Sequence, residues 1–190
     1  MKINRLLWAA VLCFATGALA ADWKREQLSA DVQDTIALFK KTDSSLKDFF
    51  EKSAGYAVFP KVAKGAIGVG AAHGEGQVFE KGKLEKGKLA GKTKLTQVTI
   101  GFQLGGQVYA EVIFFEDEKT LKDFKDGNVE FSAQVSAVAA AEGASKNAKY
   151  KLGVAVFTVA RGGLMYEASI GGQKFSYEPY EDAEAAGSKK

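Results

Sequence analysis

Glycine recurs inside β-type text between Ser53 and Val112, at Gly55, Gly65, Gly68, Gly70, Gly74, Gly76, Gly101, Gly105 and Gly106. A strand glycine has no side chain to pack and loses more backbone freedom than any other residue. Strands therefore carry it where a bulge forms or where one backbone lies directly against another. This density predicts tightly curved, closely packed β-structure. The surrounding text has a period of two. Val98, Ile100, Phe102 and Leu104 alternate with Gln97, Thr99, Gly101 and Gln103, the pattern of a half-buried strand. Val108, Ala110, Val112 and Phe114 form the expected partner, with Gly105-Gly106 as the hairpin turn between them.

Further strands follow. Val129, Phe131, Ala133, Val135 and Ala137 alternate with polar residues, and Leu152, Val154 and Val156 begin another strand. Arg161-Gly162-Gly163 turns into Leu164, Tyr166, Ala168 and Ile170, and Gly171-Gly172 turns toward Phe175 and Tyr177. Short glycine turns imply antiparallel pairing, and no βαβ rhythm is present. Two helices precede the strands. Leu28, Val32, Ile36 and Phe39 recur at helical spacing, and Asp43 can cap a second helix with Leu46, Phe49 and Phe50 on its apolar face. Their modest apolar faces fit a cover for the sheet better than a membrane-surface helix. One short helix interrupts the strands, with Asp117 as cap and Leu121 and Phe124 inward. The expected fold is α+β: a curved antiparallel β-sandwich or barrel-like sheet with N-terminal helices and one short inserted helix.

Residues 1–20 read as a secretory leader: Lys2 and Arg5 precede an apolar run, and Ala18-Leu19-Ala20 is a cleavage site. Leu12 is a poor residue before a lipidated cysteine and Cys13 lies inside the apolar run, so a lipoprotein is disfavoured. Cleavage after Ala20 makes the protein periplasmic or secreted. It removes the single cysteine, so no disulfide forms. It also takes the net charge from +3 to +1, since two basic residues leave and no acid does. Residues 21–178 are expected to form one domain, and 179–190, without apolar pattern, a disordered tail.

Near-neutral bulk charge excludes nucleic-acid binding on electrostatics alone. Gly82–Lys88 has phosphate-loop spacing, but Leu89 stands where a hydroxyl must bind magnesium. Gly87–Thr93 is one residue short. A strand rather than a helix follows both, so no nucleotide site is expected. His73, the only histidine, lies between glycine-rich turns and reads as an exposed loop residue. Without cysteine or a G-x-S-x-G elbow, no catalytic residue, metal site or cofactor is assigned. Glu116-Asp117-Glu118 is a helix start rather than a calcium site.

The remaining signal is a repeat. Glu80-Lys81-Gly82-Lys83-Leu84 recurs as Glu85-Lys86-Gly87-Lys88-Leu89. From Glu80 to Lys94, six lysines and two glutamates leave a local charge of +4 on a glycine-rich loop or finger. Lys81, Lys83, Lys86, Lys88, Lys92 and Lys94 are candidate contacts for anionic phospholipid, with Leu84 and Leu89 as inserting side chains. Lys61 and Lys64 are a second, weaker candidate.

The order of AGYAVFPKVAKGAIGVG, a GxG before QVF, and GFQLGGQVYAEV resembles the core signature of the SYLF domain family over about residues 30–178. The resemblance implies a non-enzymatic domain that binds lipid headgroups and, in fungal members, actin. It places lipid contacts on an N-terminal helix and basic surface residues, here Trp23, Lys24 and Arg25. The expected function is an exported lipid-binding protein peripheral to an anionic membrane surface. The alternative is an envelope protein-interaction module without lipid specificity.

Overall fold

The computed structural model describes residues 4–81, 87–129, 136–162 and 172–180. In chain order they form α1 (Asn4–Thr42), α2 (Leu46–Lys52), β1 (Gly55–Glu80), β2 (Lys88–Phe115), α3 (Glu118–Lys125), β3 (Ala137–Ala139), a 3-10 turn (Ala144–Asn147), β4 (Val154–Gly162) and β5 (Gln173–Pro179). The strands run β1-β2-β4-β3, with β5 paired to β2. The class is α+β with a curved sheet, as expected.

The curvature comes from two very long strands. β1 and β2 pair antiparallel from Gly55 opposite Phe115 to Glu80 opposite Lys88, with register breaks at Phe59/Val62, Ile67/Val69 and Val78/Phe79. The two ends of β2 take different partners: Val108–Phe115 pairs with β4, Gly91–Gln97 with β5. β1 doubles back on itself, so that the Lys81 amide donates to the Ala54 carbonyl at 2.9 Å. A Cβ on Gly55 would lie 2.5 Å from the Phe79 carbonyl oxygen, and one on Gly76 2.4 Å from that of Val58. Only glycine permits that backbone approach.

Gly105 and Gly106 are not a hairpin turn. They lie inside β2, opposite Ala66 and Gly65, so the two strands read on either side of them are one. The residues sit in the middle of the doubled ribbon. The sheet is also not wholly antiparallel: β3 runs parallel to β4, with Ala137 opposite Val156 and Ala139 opposite Thr158. The segment 140–153 makes the crossover that a parallel pair requires. Leu152 precedes β4 rather than beginning it. Its φ of 53° belongs to the crossover. Arg161 and Gly162 extend β4 instead of turning. The strand read across Val129–Ala137 falls largely on 130–135, and the one from Leu164 to Ile170 on 163–171, outside the described residues. β5 reaches Pro179, and the Tyr180 amide donates to the Ala90 carbonyl at 3.0 Å; the rest of the expected tail, 181–190, lies outside the described residues.

Both faces of the ribbon are buried along 57–60, 76–79 and 109–115, whereas Ala71, His73, Lys94 and Thr96 are exposed further along it. Inside the curve lie Phe59, Val62, Leu95, Ile113, Phe115, Val156 and Phe175, closed at one end by Leu121 and Phe124 of α3. Outside it, Val58, Val112, Phe114 and Phe157 pack against Val32, Ile36, Phe39 and Leu46 of α1 and α2. The helices thus cover the sheet, as their apolar spacing implies. α3 forms as read: Asp117 accepts from the Thr120 amide at 2.7 Å and caps it.

Asp43 does something other than cap α2. Ser45 holds the N-cap position, and the buried Asp43 carboxylate accepts from the amides of Ser45, Gly143 and Ser145 at 3.0, 3.1 and 2.7 Å, and from the Ser45 hydroxyl. Burial opposes its charge, but these donors prevail and hold the carboxyl down at about 2. It ties the α1–α2 corner to the β3–β4 crossover. Asp43→Ala strands several buried amides and should cost about 2 kcal/mol in urea unfolding. Because the folded value lies below the ordinary 3.8, Asp43's contribution is present above about pH 4 and fades as pH falls through about 2.

Candidate functional site

The lysine-rich segment closes the hairpin between β1 and β2, with Glu80 opposite Lys88. α3 lies alongside. Between them is a groove of about 940 Å³. Lys81 and Lys88 line it from the hairpin, Lys119, Lys122 and Lys125 from α3, and Tyr177 and Pro179 from β5. Glu80, Glu118 and Asp126 are its carboxylates, so five lysines face three acids.

The α3 lysines recur at three-residue steps, which places them along one helix face. Each is held by a neighbouring acceptor. Lys119 pairs with Asp123 at 2.6 Å, Lys122 with Asp126, and Lys125 with Glu80 while lying 5.1 Å from the Tyr177 ring centre. The hydrogen bonds that Lys119 and Lys122 donate to Asp123 and Asp126 push their ammonium groups up, so both stay charged. Lys81 donates to the Glu51 carbonyl. Among the described residues Lys88 makes no ion pair, and it is exposed. Solvent-exposed pairs such as Lys119–Asp123 are worth little and exchange readily for another anion.

The expected lysines separate. Lys81 and Lys88 enter the groove. Lys83 and Lys86 lie outside the described residues. Lys92 pairs with Glu75 at 3.1 Å on the sheet, with Lys94 exposed beside it. Leu89 packs on the outer core and does not insert outward. Lys64 is buried, with its ammonium pushed down by that burial, while Lys61 is exposed. Trp23 is 61% exposed and Lys24 is exposed, both on α1. The Arg25 guanidinium lies 4.0 Å above the Tyr180 ring, and Tyr180 is hydrogen-bonded to Ala90, itself a groove residue. His73 is exposed as expected, but on β1 opposite Thr96 rather than in a loop.

The lysines of α3 are not among the candidate contacts expected from the sequence, where α3 stands only as a capped, core-facing helix. Their i, i+3, i+6 spacing in EKTLKDFK was the available signal. Among the described residues no group of three His, Cys, Asp or Glu side chains stands together as a metal site. No described helix is long and apolar enough to cross a membrane, which says nothing about strands.

A curved sheet is thus covered by helices and carries a lysine-lined surface groove. Residues 96–189 match the family Ysc84, described as Las17-binding protein actin regulator. The chain is also 32% identical over 140 residues to "Beta cell expansion factor A" of Aeromonas veronii, a match spanning 74% of this chain and 51% of that protein. Over residues 96–189 the chain thus matches the SYLF family, whose naming is that of actin regulators, and it spans about half the length of the curated relative.

Proposed function

We propose that the protein is an exported, non-enzymatic SYLF protein that holds anionic phospholipid headgroups in the groove between the β1–β2 hairpin and α3. The observation that carries this reading is the convergence of Lys81 and Lys88 with Lys119, Lys122 and Lys125 on one groove. A headgroup phosphate can replace the exposed carboxylates that now neutralise α3. Trp23, Lys24 and Arg25 supply an adjoining contact from α1, and Lys92 and Lys94 of β2 are further candidate contacts. Cleavage after Ala20 would deliver the chain to the periplasm or the exterior, and a mass spectrum starting at Ala21 checks it.

Vesicle co-sedimentation tests the groove. Each lysine near an anionic surface contributes about 1 kcal/mol before screening. The triple variant Lys88→Gln, Lys119→Gln, Lys122→Gln should therefore bind phosphatidylglycerol vesicles at least about tenfold more weakly, and wild-type binding should fall with salt. Equal pelleting with neutral and anionic vesicles, or no loss in the variant, refutes the proposal. The family description supports a second reading, an envelope protein-interaction module. Binding to a purified envelope protein that resists salt and survives the triple substitution favours that reading.

A further inference from the structure

The interior of the curved sheet is apolar where α3 closes it and becomes polar along β2. Glu111 and Tyr109 point into it from β2, on the same face as Ile113 and Phe115, and Gln173 enters from β5. Glu111 and Gln173 are fully buried and Tyr109 is 1% exposed. Gln173 Nε2 donates to Glu111 Oε2 at 3.0 Å and reaches the Tyr109 hydroxyl at 3.4 Å. Two oxygens then remain, Glu111 Oε1 and Gln173 Oε1, each buried and without a hydrogen-bond donor. A buried carboxylate without a counter-charge is among the most costly arrangements in a protein interior, and an unmet buried acceptor adds to that cost.

Below about 8 Glu111 keeps its own proton; once it ionises, no side chain in the described structure supplies the missing donor. Across the ladder, Glu111 faces Phe59 of β1 and Thr158 of β4, and neither carries charge. Tyr109, the nearest titratable group on its own strand, is held in its neutral form by burial and by Glu111. From β5 comes only the neutral Gln173. Lys64 lies on the same face of β1, toward the bend, and forms no ion pair with Glu111. Its ammonium is weakened by burial alone.

We infer that Glu111, Gln173 and Tyr109 form an interior site for a small monovalent cation, an alkali metal ion or an ammonium group. Three oxygen donors of hard character suit such an ion and do not suit a soft transition metal. One carboxylate neutralises one positive charge, so a monovalent ion leaves the interior uncharged where a divalent ion would leave a net charge buried. The site lies inside the curved sheet and is separate from the lysine groove, which repels cations.

Proton and cation compete for the same carboxylate, because burial pushes Glu111 up to about 8 in the absence of the ion. Cation binding is therefore strongest in alkali and releases a proton. The full chain is to be melted in NaCl, KCl, NH4Cl and choline chloride at equal ionic strength, at about pH 9 and about pH 6. The choline ion is too large to enter. At the higher pH, at least one small cation should raise the midpoint by about 5 °C over choline, with the gain fading at the lower pH. A gain from an alkali metal ion alone identifies a metal site, and a gain from ammonium alone an amine site. The isosteric Glu111→Gln should abolish the gain. Equal melting in all four salts, the result of a buried water, overturns the inference, and so does an unchanged salt response in Glu111→Gln. The wild-type comparison decides even where that variant does not fold.

Discussion

In choline buffer, raising the pH from about 5 to about 9 should remove about 4 kcal/mol of stability, and Glu111→Gln should flatten that slope. Burial is the cause: it disfavours the charged carboxylate and takes Glu111 from an ordinary 4.5 to about 8, against the opposing hydrogen bond from Gln173. The sign follows from proton uptake. Between those two values the folded chain keeps a proton that the unfolded chain has lost. Stability is thus complete below about 4.5, declines as pH rises, and levels off once Glu111 ionises in the fold. For a chain of this size the difference amounts to about 10 °C in melting midpoint. Asp43 acts only in acid, below this window. Lys64, weakened by burial, pulls in the opposite direction at higher pH. Comparing the wild type with Glu111→Gln isolates the carboxyl from both. Parallel pH profiles for the two proteins would refute the assignment.

Glu111 also marks where sequence reading reaches its limit. Alternation in Val108–Phe115 assigns Val108, Ala110, Val112 and Phe114 to a core and leaves Tyr109, Glu111, Ile113 and Phe115 to the other face. That other face is buried too, because β1 doubles back and β5 and α3 close the space inside. Period two identifies a strand and its two faces. It cannot tell that both are covered, and the near-continuous apolar run YAEVIFF was the available hint. The strand glycines mark close packing but not every turn. Gly55 and Gly76 are where backbone meets backbone, a local steric demand that composition reports. Gly105-Gly106 has the chemistry of a tight turn, yet tertiary pairing with Gly65 and Ala66 keeps it inside one strand. Helix content was easier: Val32, Ile36 and Phe39 recur at a period that only a helix satisfies, and Asp117 is a local cap. The groove was half legible. Lys81 and Lys88 lie in an obvious charge repeat, whereas the α3 lysines join them only because Leu121 and Phe124 anchor α3 against the end of the sheet.

Phe114→Ala should destabilise the protein by about 3–5 kcal/mol, the largest loss expected from any single truncation on the helix-covered face. Phe114 is fully buried at the meeting point of α2, β1 and β4. Its ring centre lies 4.8 Å from that of Phe50 and 5.4 Å from that of Phe49, both on α2. It is 5.9 Å from Phe157 on β4 and 6.1 Å from Tyr56 on β1. The near-perpendicular Phe50 contact, at 86°, sets ring edge against ring face, a geometry worth about 1 kcal/mol beyond burial. α2 has only seven residues, too few to hold helical form alone, so it persists through this aromatic seat. Truncation therefore removes apolar burial, opens a cavity that flat β-backbone cannot collapse to fill, and loosens α2 together. Phe114→Leu, which keeps most of the volume and none of the ring stacking, should lose about half as much. Urea unfolding of the two variants measures both terms. The α2 component has its own readout in hydrogen exchange: the amides of residues 49–52 should lose protection in Phe114→Ala while those of Val32–Phe39 on α1 keep theirs. Uniform loss across both helices would show that α2 draws its order from the covering layer as a whole rather than from the Phe114 seat.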